Sequence, residues 1–410
     1  MDVDIRVIRP EELPAFRTAL GAAFGDDEMR EEWDPVWENV FENDRLFVAM
    51  DEDLVSGTAG NFSFTMTVPG GELPTAGLTV VGVPPTHRRK GIARKLMRFQ
   101  IEDARKRKEP LSILWASEDA IYQRFGYGLG VSQMRIESER GHTDFRLAAE
   151  PAGRARLLTR EEAAKVLPDV YERVRIGTPG MLARSPEWWQ YHRLFDPKED
   201  RDGAGKMMVV VWEDEGRAEA YALYRFKEKW AFDTGVSSSE VLVFESLATS
   251  VPATQQLWNY LFGIDLAQKV IGYFLPVDHP LPLMVLEPRR LKMGINDSIW
   301  LRAVDVQEAL ANRSYALQET LTFALSDPFC EWNDGIWKLS APSGGHSVDR
   351  FDGDPELALD SCDLGAIYLG GTTVTELHRA GRIQELKPGA IAKADAMFRT
   401  DRKPWCPEIF

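Results

Sequence analysis

Two short segments of this chain combine residue types that could do chemistry. The first reads V-G-V-P-P-T-H-R-R-K-G-I-A over residues 81–93. An apolar run stops at Pro84-Pro85, a basic turn follows, and a helix opens after Gly91. The first amides of a helix have no partner within it, and the helix dipole favours negative charge there. A phosphate group is the matching guest. Gly91 lets it approach the backbone. Arg88, Arg89, Lys90 and Arg94 add donors for its oxygens. A solvated basic turn has the same composition, so this segment alone leaves both readings open.

The second segment reads W-A-S-E-D-A-I-Y-Q-R-F-G-Y over residues 115–127. A buried strand ends near Ala116 and polar Ser117-Glu118 follow. Ligands of open α/β sheets sit outside the carboxyl ends of strands. Both segments lie at such ends. Tyr122 is placed to reach a thioester held by the basic turn. A phenol of ordinary pKa, about 10, stays protonated at neutral pH. It can donate to a departing thiolate. The plain alternative is a core tyrosine with one wet end. Tyr127, after Gly126, reads as structural.

These segments need a scaffold, and the pattern of apolar residues supplies one. Residues 5–8, 46–50, 59–68, 78–83 and 111–116 read as strands, and 10–23 and 91–106 as helices. Apolar Ile92, Leu96, Met97 and Ile101 recur at helical spacing. Strands interleaved with helices imply an α/β layer structure. Residues 134–138 and 143–149 read as a closing strand pair, and the Pro- and Gly-bearing stretch 149–154 as a linker. A second cycle follows, with helices over 161–175, 186–194 and 254–264 and strands over 206–212, 218–226 and 240–247. A third begins near Asn296, mixing strands at 321–325 and 335–339 with helices at 304–311, 373–380 and 390–398. The tail 401–410 is irregular. It carries Trp405, Ile409 and Phe410, which are costly to leave in water, so it is expected to be docked.

Composition narrows the function classes. The chain has 410 residues, which implies two or three domains. A net charge of −15 argues against nucleic acid as a partner and favours cationic small molecules. The three cysteines and six histidines show neither a disulfide framework nor metal spacing. No apolar stretch approaches the roughly 20 residues of a membrane span. The charged N-terminus lacks a signal-peptide core. The expectation is a cytoplasmic protein without a metal.

Taken together, V-x-V-P-P-T-H-R-R-K-G-I-A and A-S-E-x-x-I-Y-x-R-F-G-Y-G resemble the GNAT acetyltransferase superfamily. More narrowly, they resemble the Eis (enhanced intracellular survival) acetyltransferases. P-T-A-G-L at 74–78, D-H-P-L-P-L at 278–283, Y-L-G-G at 368–371 and the terminal Phe extend the likeness over most of the chain. The resemblance implies an α/β (α+β) fold of tandem GNAT domains and a sterol-carrier-protein-like domain. The expected divisions are 1–150, 151–295 and 296–410. It implies acetyl-CoA as cosubstrate, held by Val81, Gly82, Val83, Arg88, Arg89, Lys90, Gly91, Ile92, Ala93 and Arg94, with Ser117 and Glu118 as further contacts. It implies Tyr122 as general acid, the free carboxylate of Phe410 as general base, and a homohexamer.

The implied reaction is N-acetylation of a small cationic amine, such as an aminoglycoside, a polyamine or a lysine side chain. Asp26 matches a substrate-contacting aspartate. Its neighbours Asp27, Glu28, Glu31 and Glu32 read as a solvated acidic loop. Family members that acetylate aminoglycosides carry an acidic residue just before the terminal Phe. Ile409 stands there instead, next to Glu408, which removes one charge from the pocket wall. His87 reads as a solvated loop histidine beside the phosphate site. The alternative function is a non-catalytic acyl-CoA sensor or lipid carrier using the C-terminal domain.

Overall fold

The computed structural model describes residues 3–26, 31–147, 153–231, 233–342 and 345–410. Much of the expected linker, and the acidic residues Asp27 and Glu28, lie outside the described residues. The chain forms two compact units. One comprises Met1–Val131, Ser298–Pro404 and Glu408–Phe410, the other Ser132–Asp297 and Trp405–Pro407.

The first unit is built on β1 (Asp4–Val7), α1 (Leu13–Phe24), α2 (Asp34–Asn39), β2 (Leu46–Asp51), β3 (Leu54–Val68), β4 (Gly71–Gly82), α3 (Ile92–Lys106), β5 (Leu111–Trp115), α4 (Asp119–Gln123) and β6 (Gly128–Leu129). Strands β1 to β4 pair antiparallel in chain order. β4 and β5 are parallel, and α3 forms the crossover between them. The amphipathic face foreseen for α3 is the one that packs. Ile92, Leu96, Met97, Ile101 and Ala104 are all buried in the core it shares with Phe47, Ala76 and Leu114.

A seventh strand, Ile299–Ala303, enters this sheet between β5 and β6 and pairs antiparallel with both. Its Arg302 is completely buried, pairs with Asp327, and donates to the carbonyl of Phe125. Buried charge is tolerated only when paired in this way. The turn that follows Tyr122 is thereby held from the C-terminal part of the chain. A separate five-stranded sheet, 347–350, 335–340, 320–326, 357–360 and 384–385 in spatial order, completes this unit with its helices.

The second unit also carries a seven-stranded sheet. β7 (Ser132–Glu139) lies in it, between Gly294–Asp297 and Ala267–Pro276. Strand β7 thus pairs within the second sheet rather than closing the first, as its position before the linker suggested. Its expected partner, 143–149, is no strand. Phe145 makes one isolated bridge to Val285, and the last two of those residues lie outside the described set. The strand Ala267–Pro276 was not foreseen either, and it is β7's main partner. In this unit the tail residue Trp405 is buried beside Leu167, Met181 and Leu194. Its indole donates to the carbonyl of Phe274 at 2.6 Å and its amide to that of Pro179 at 2.9 Å. The tail is docked, as its apolar residues required.

No helix among the described residues is long and apolar enough to cross a membrane. Among the same residues no group of three or more His, Cys, Asp or Glu could hold a metal ion.

Candidate active site

The ladder between β4 and β5 ends at Leu78 and Leu114. β4 continues to Gly82 and β5 to Trp115, so the carboxyl ends of the two strands run on past their last shared pair. Just there β4 bulges. Thr58 pairs with Gly82 and Gly60 with Thr79, which leaves Val80 and Val81 opposite the single residue Ala59. Such an insertion frees backbone groups from the ladder and twists the strand. Val80 sits at φ 47°, a left-handed conformation that costs a β-branched side chain dearly. The Thr58 hydroxyl, donating to the Val80 carbonyl at 2.9 Å, helps hold it there.

A cleft of about 240 Å³ opens at this point. Strand β4 contributes Leu78, Thr79, Val80 and Val81. Trp115, Ser117 and Tyr122 form the facing side, and Leu20 and Phe24 of α1 a third. The last residue of the chain, Phe410, completes the wall. Its ring meets those of Phe64 and Phe62 edge-on, with centroids 5.0 and 6.4 Å away. Gly77 makes this seat possible. A Cβ there would lie 2.2 Å from Cε2 of Phe64 and 3.3 Å from Cε2 of Phe410.

The structure therefore brings Tyr122, Ser117, Val81 and Phe410 together at one cleft. Tyr122 sits on α4 and is 6 % exposed. Burial pushes its phenol above the usual range, and a hydrogen bond with Ser117 pulls the other way. The rival Tyr127 is fully buried, bonded to Ser112 at 2.7 Å and Gln100 at 3.0 Å, and pushed up to about 12 by burial. It is a core tyrosine, as expected.

The basic turn is exposed at Arg88, Arg89 and Lys90. Gly91, at φ 81°, caps α3, with no heavy atom within 4 Å of where a Cβ would stand. An open, left-handed glycine before a 15-residue helix fits an approaching phosphate. The four cations are not equivalent. Arg88 donates to the carbonyl of Ala23 at 2.9 Å and to that of Val83 at 3.3 Å, so it also closes the C-terminal end of α1. Arg89 takes φ 63°. Arg94 lies over the Phe329 ring at 5.1 Å. Ile92 is buried and Ala93 half-buried, so they offer backbone rather than side chains.

Some expectations fall elsewhere. His87 is 8 % exposed and faces Asp51 at 3.3 Å and Thr86 at 2.8 Å, so it braces the turn rather than standing in solvent. Glu118 is exposed and precedes α4, outside the cleft wall. Asp26 is exposed, its amide bonded to the carbonyl of Gly21 at 2.9 Å, and it too lies outside the wall. Sequence reasoning missed Leu20, Phe24 and Trp115. Their helical and strand spacing announces packing, and nothing local marks them as cleft residues.

Residues 4–130 and 180–303 each match an acetyltransferase (GNAT) domain, and residues 306–407 match a sterol carrier protein domain. An uncharacterised N-acetyltransferase from Streptomyces avermitilis is 38 % identical, with 100 % of both chains covered. The N-acetyltransferase Eis of Mycobacterium tuberculosis is 30 % identical over 93 % of each chain. The crystal structure of Eis1 from Mycobacterium abscessus matches with a TM-score of 0.86 at 33 % identity, covering 99 % of this chain and 100 % of that one. The tandem acetyltransferase domains, the sterol-carrier-like domain and full-length relatives at this identity together establish that the chain belongs to the Eis family of GNAT N-acetyltransferases.

Proposed function

We propose that this acetyltransferase uses acetyl-CoA to acetylate the primary amine of a small cationic molecule, with Tyr122 as general acid and the Phe410 carboxylate as general base. Acetyl-CoA supplies an acetyl group activated as a thioester. The supporting observation is that Tyr122 and the last residue of the chain line one cleft at the parted ends of β4 and β5.

The chain's own groups divide the work as follows. The backbone of α3 after Gly91, with Arg89, Lys90 and the partly committed Arg88 and Arg94, receives the pyrophosphate. The bulged backbone at Val80 and Val81, leading into Gly82 and Val83, provides unladdered amides for the thioester oxygen. Ser117 and Glu118 flank the arm of the coenzyme. The Phe410 carboxylate accepts the proton that the ammonium must lose. Tyr122, kept protonated by burial, gives one to the leaving sulfur. Holding amine and thioester together lowers the barrier by roughly 7 to 11 kcal/mol. Asp26, exposed just after α1, remains a proposed substrate contact.

The division into domains at 1–150, 151–295 and 296–410, the hexamer and the cytoplasmic setting belong to the same proposal; the hexamer rests on the resemblance, and the cytoplasmic setting on the cysteine usage and the charged N-terminus. Light scattering of the purified chain tests the hexamer.

The test of the mechanism is a short extension after Phe410, such as Gly-Ser. It replaces the carboxylate with a peptide bond at the cleft. Turnover should vanish while acetyl-CoA binding, measured by calorimetry, persists. An extended protein that acetylates at the native rate removes the terminal base from the mechanism.

A further inference from the structure

We infer that Phe329 is a positioning residue for acetyl-CoA, its ring holding the Arg94 guanidinium in place for the pyrophosphate. Phe329 lies within the stretch that matches a sterol carrier protein domain, so that stretch takes part in coenzyme binding. The inference rests on the acetyl-CoA site proposed above. Placement is the first argument. Phe329 is 2 % exposed, in the core shared with Ile92 and Leu96, and its ring meets that of Phe125 at 5.0 Å. Arg94 is exposed and stands in the first turn of α3, three residues after Gly91. Its guanidinium lies 5.1 Å from the centroid of the Phe329 ring, inside the roughly 6 Å over which an aromatic face attracts a cation. A cation in a first turn opposes the helix dipole, and this turn holds no acidic residue to offset it. The ring supplies part of the compensation, and a bound phosphate supplies the rest.

Rigidity is the second argument. The carboxylate of Asp327 receives Arg302, the amide of Cys330 at 3.0 Å and the side-chain amide of Asn333 at 3.2 Å. The indole of Trp332 donates to the carbonyl of Val304 at 2.9 Å. The loop is thus fixed on both sides of Phe329. An arginine has many rotamers to lose on binding, and a fixed ring beneath it reduces that cost beforehand. The third argument is the division between two cations. Arg98, one turn further along α3, lies over the same ring at 4.8 Å and is committed to Glu331 at 3.1 Å. Arg94 is the cation on this ring that stands next to the pyrophosphate turn.

The test is a double-mutant cycle read by calorimetry with acetyl-CoA, which needs no acceptor amine. Arg94→Ala should weaken binding about 10-fold and Phe329→Leu about fivefold. The double variant should bind within about twofold of Arg94→Ala, because the ring acts through that one guanidinium. Losses that multiply overturn the inference, as does native affinity in either single variant. Arg94→Lys is a second measure at an exposed position, so it does not depend on Phe329→Leu folding. It keeps the charge and gives up the flat fork that stacks on a ring. Its affinity should fall about threefold, and native affinity there also overturns the inference. In each of these cases the acetyltransfer reading stands, since the native protein still binds the coenzyme. A native protein that binds no acetyl-CoA brings down both.

Discussion

The indole Nε1 of Trp115 donates to the backbone carbonyl of Glu408 at 2.5 Å, joining residues 293 positions apart. Trp115 ends β5 and lines the cleft, while Glu408 lies two residues before the terminus. The bond ties the peptide that carries Phe410 to the strand beside Tyr122. Trp115→Phe keeps an aromatic ring on β5 and deletes the donor together with the five-membered half of the indole. One such bond contributes about 1 kcal/mol net, so kcat should fall about fivefold with the KM for acetyl-CoA unchanged. The freed tail should also become a better substrate for carboxypeptidase. Equal trimming rates in variant and native protein, with unchanged melting, would show that Trp115 does not position the terminus.

Gly77 bears on the same terminus from β4. A methyl group there would overlap Phe64, 2.2 Å away, and press on Phe410 at 3.3 Å. Overpacking of this kind costs about 1–3 kcal/mol. If Phe410 yields rather than Phe64, Gly77→Ala should lower kcat more than it lowers the denaturation midpoint. A loss of stability with kcat intact would mean that Phe64 absorbs the change and that the seat is only structural.

For Tyr122 the direction of the pKa shift sets the pH dependence. Burial disfavours the phenolate, so the proton stays on to a higher pH than the ordinary value near 10. A profile of kcat should therefore show no alkaline fall below pH 10 attributable to this group. Tyr122→Phe should lower kcat by about 10²-fold or more. A loss below fivefold would mark the hydroxyl as an orienting group, since a thiolate leaves readily without help.

How much of this was legible in the sequence depends on the reach of each contact. The basic turn and α3 are local: helix spacing, a capping glycine and a run of cations suffice to place them. Tyr122 is local too, on a five-residue helix after a buried strand. The strand Ile299–Ala303 is a short apolar run, and no local pattern assigns it to β5 and β6 rather than to the sheet of the second unit. The same holds for β7, whose partners begin at Ala267 and Gly294. The tail's apolar residues announced that it docks. Its seat on Gly77 and Phe64 is set by pairing across the whole chain. The bulge lies at Val80 and Val81 because Thr58 and Gly60 fix the register across from β3, a pairing that no local pattern in β4 announces.

His279 falls within the D-H-P-L-P-L stretch and has a structural part. It is half-buried, its ring meets Trp258 edge-on at 5.8 Å, and its Nδ1 accepts from the amide of Leu281 at 3.2 Å. Burial lowers its pKa to about 4 from an ordinary value near 6.5. The folded state thus keeps it neutral while the unfolded chain takes up a proton below about 6.5. Stability is complete above that value and is lost progressively as the pH falls from 6.5 towards 4, where the folded form also protonates. The full shift corresponds to about 3 kcal/mol. His279→Asn retains an acceptor for Leu281 and cannot titrate. The difference in urea stability between native protein and variant should therefore shrink steadily between pH 7 and pH 4.5 as the native protein weakens. A difference constant over that range would show that His279 does not set the acid limit of the fold.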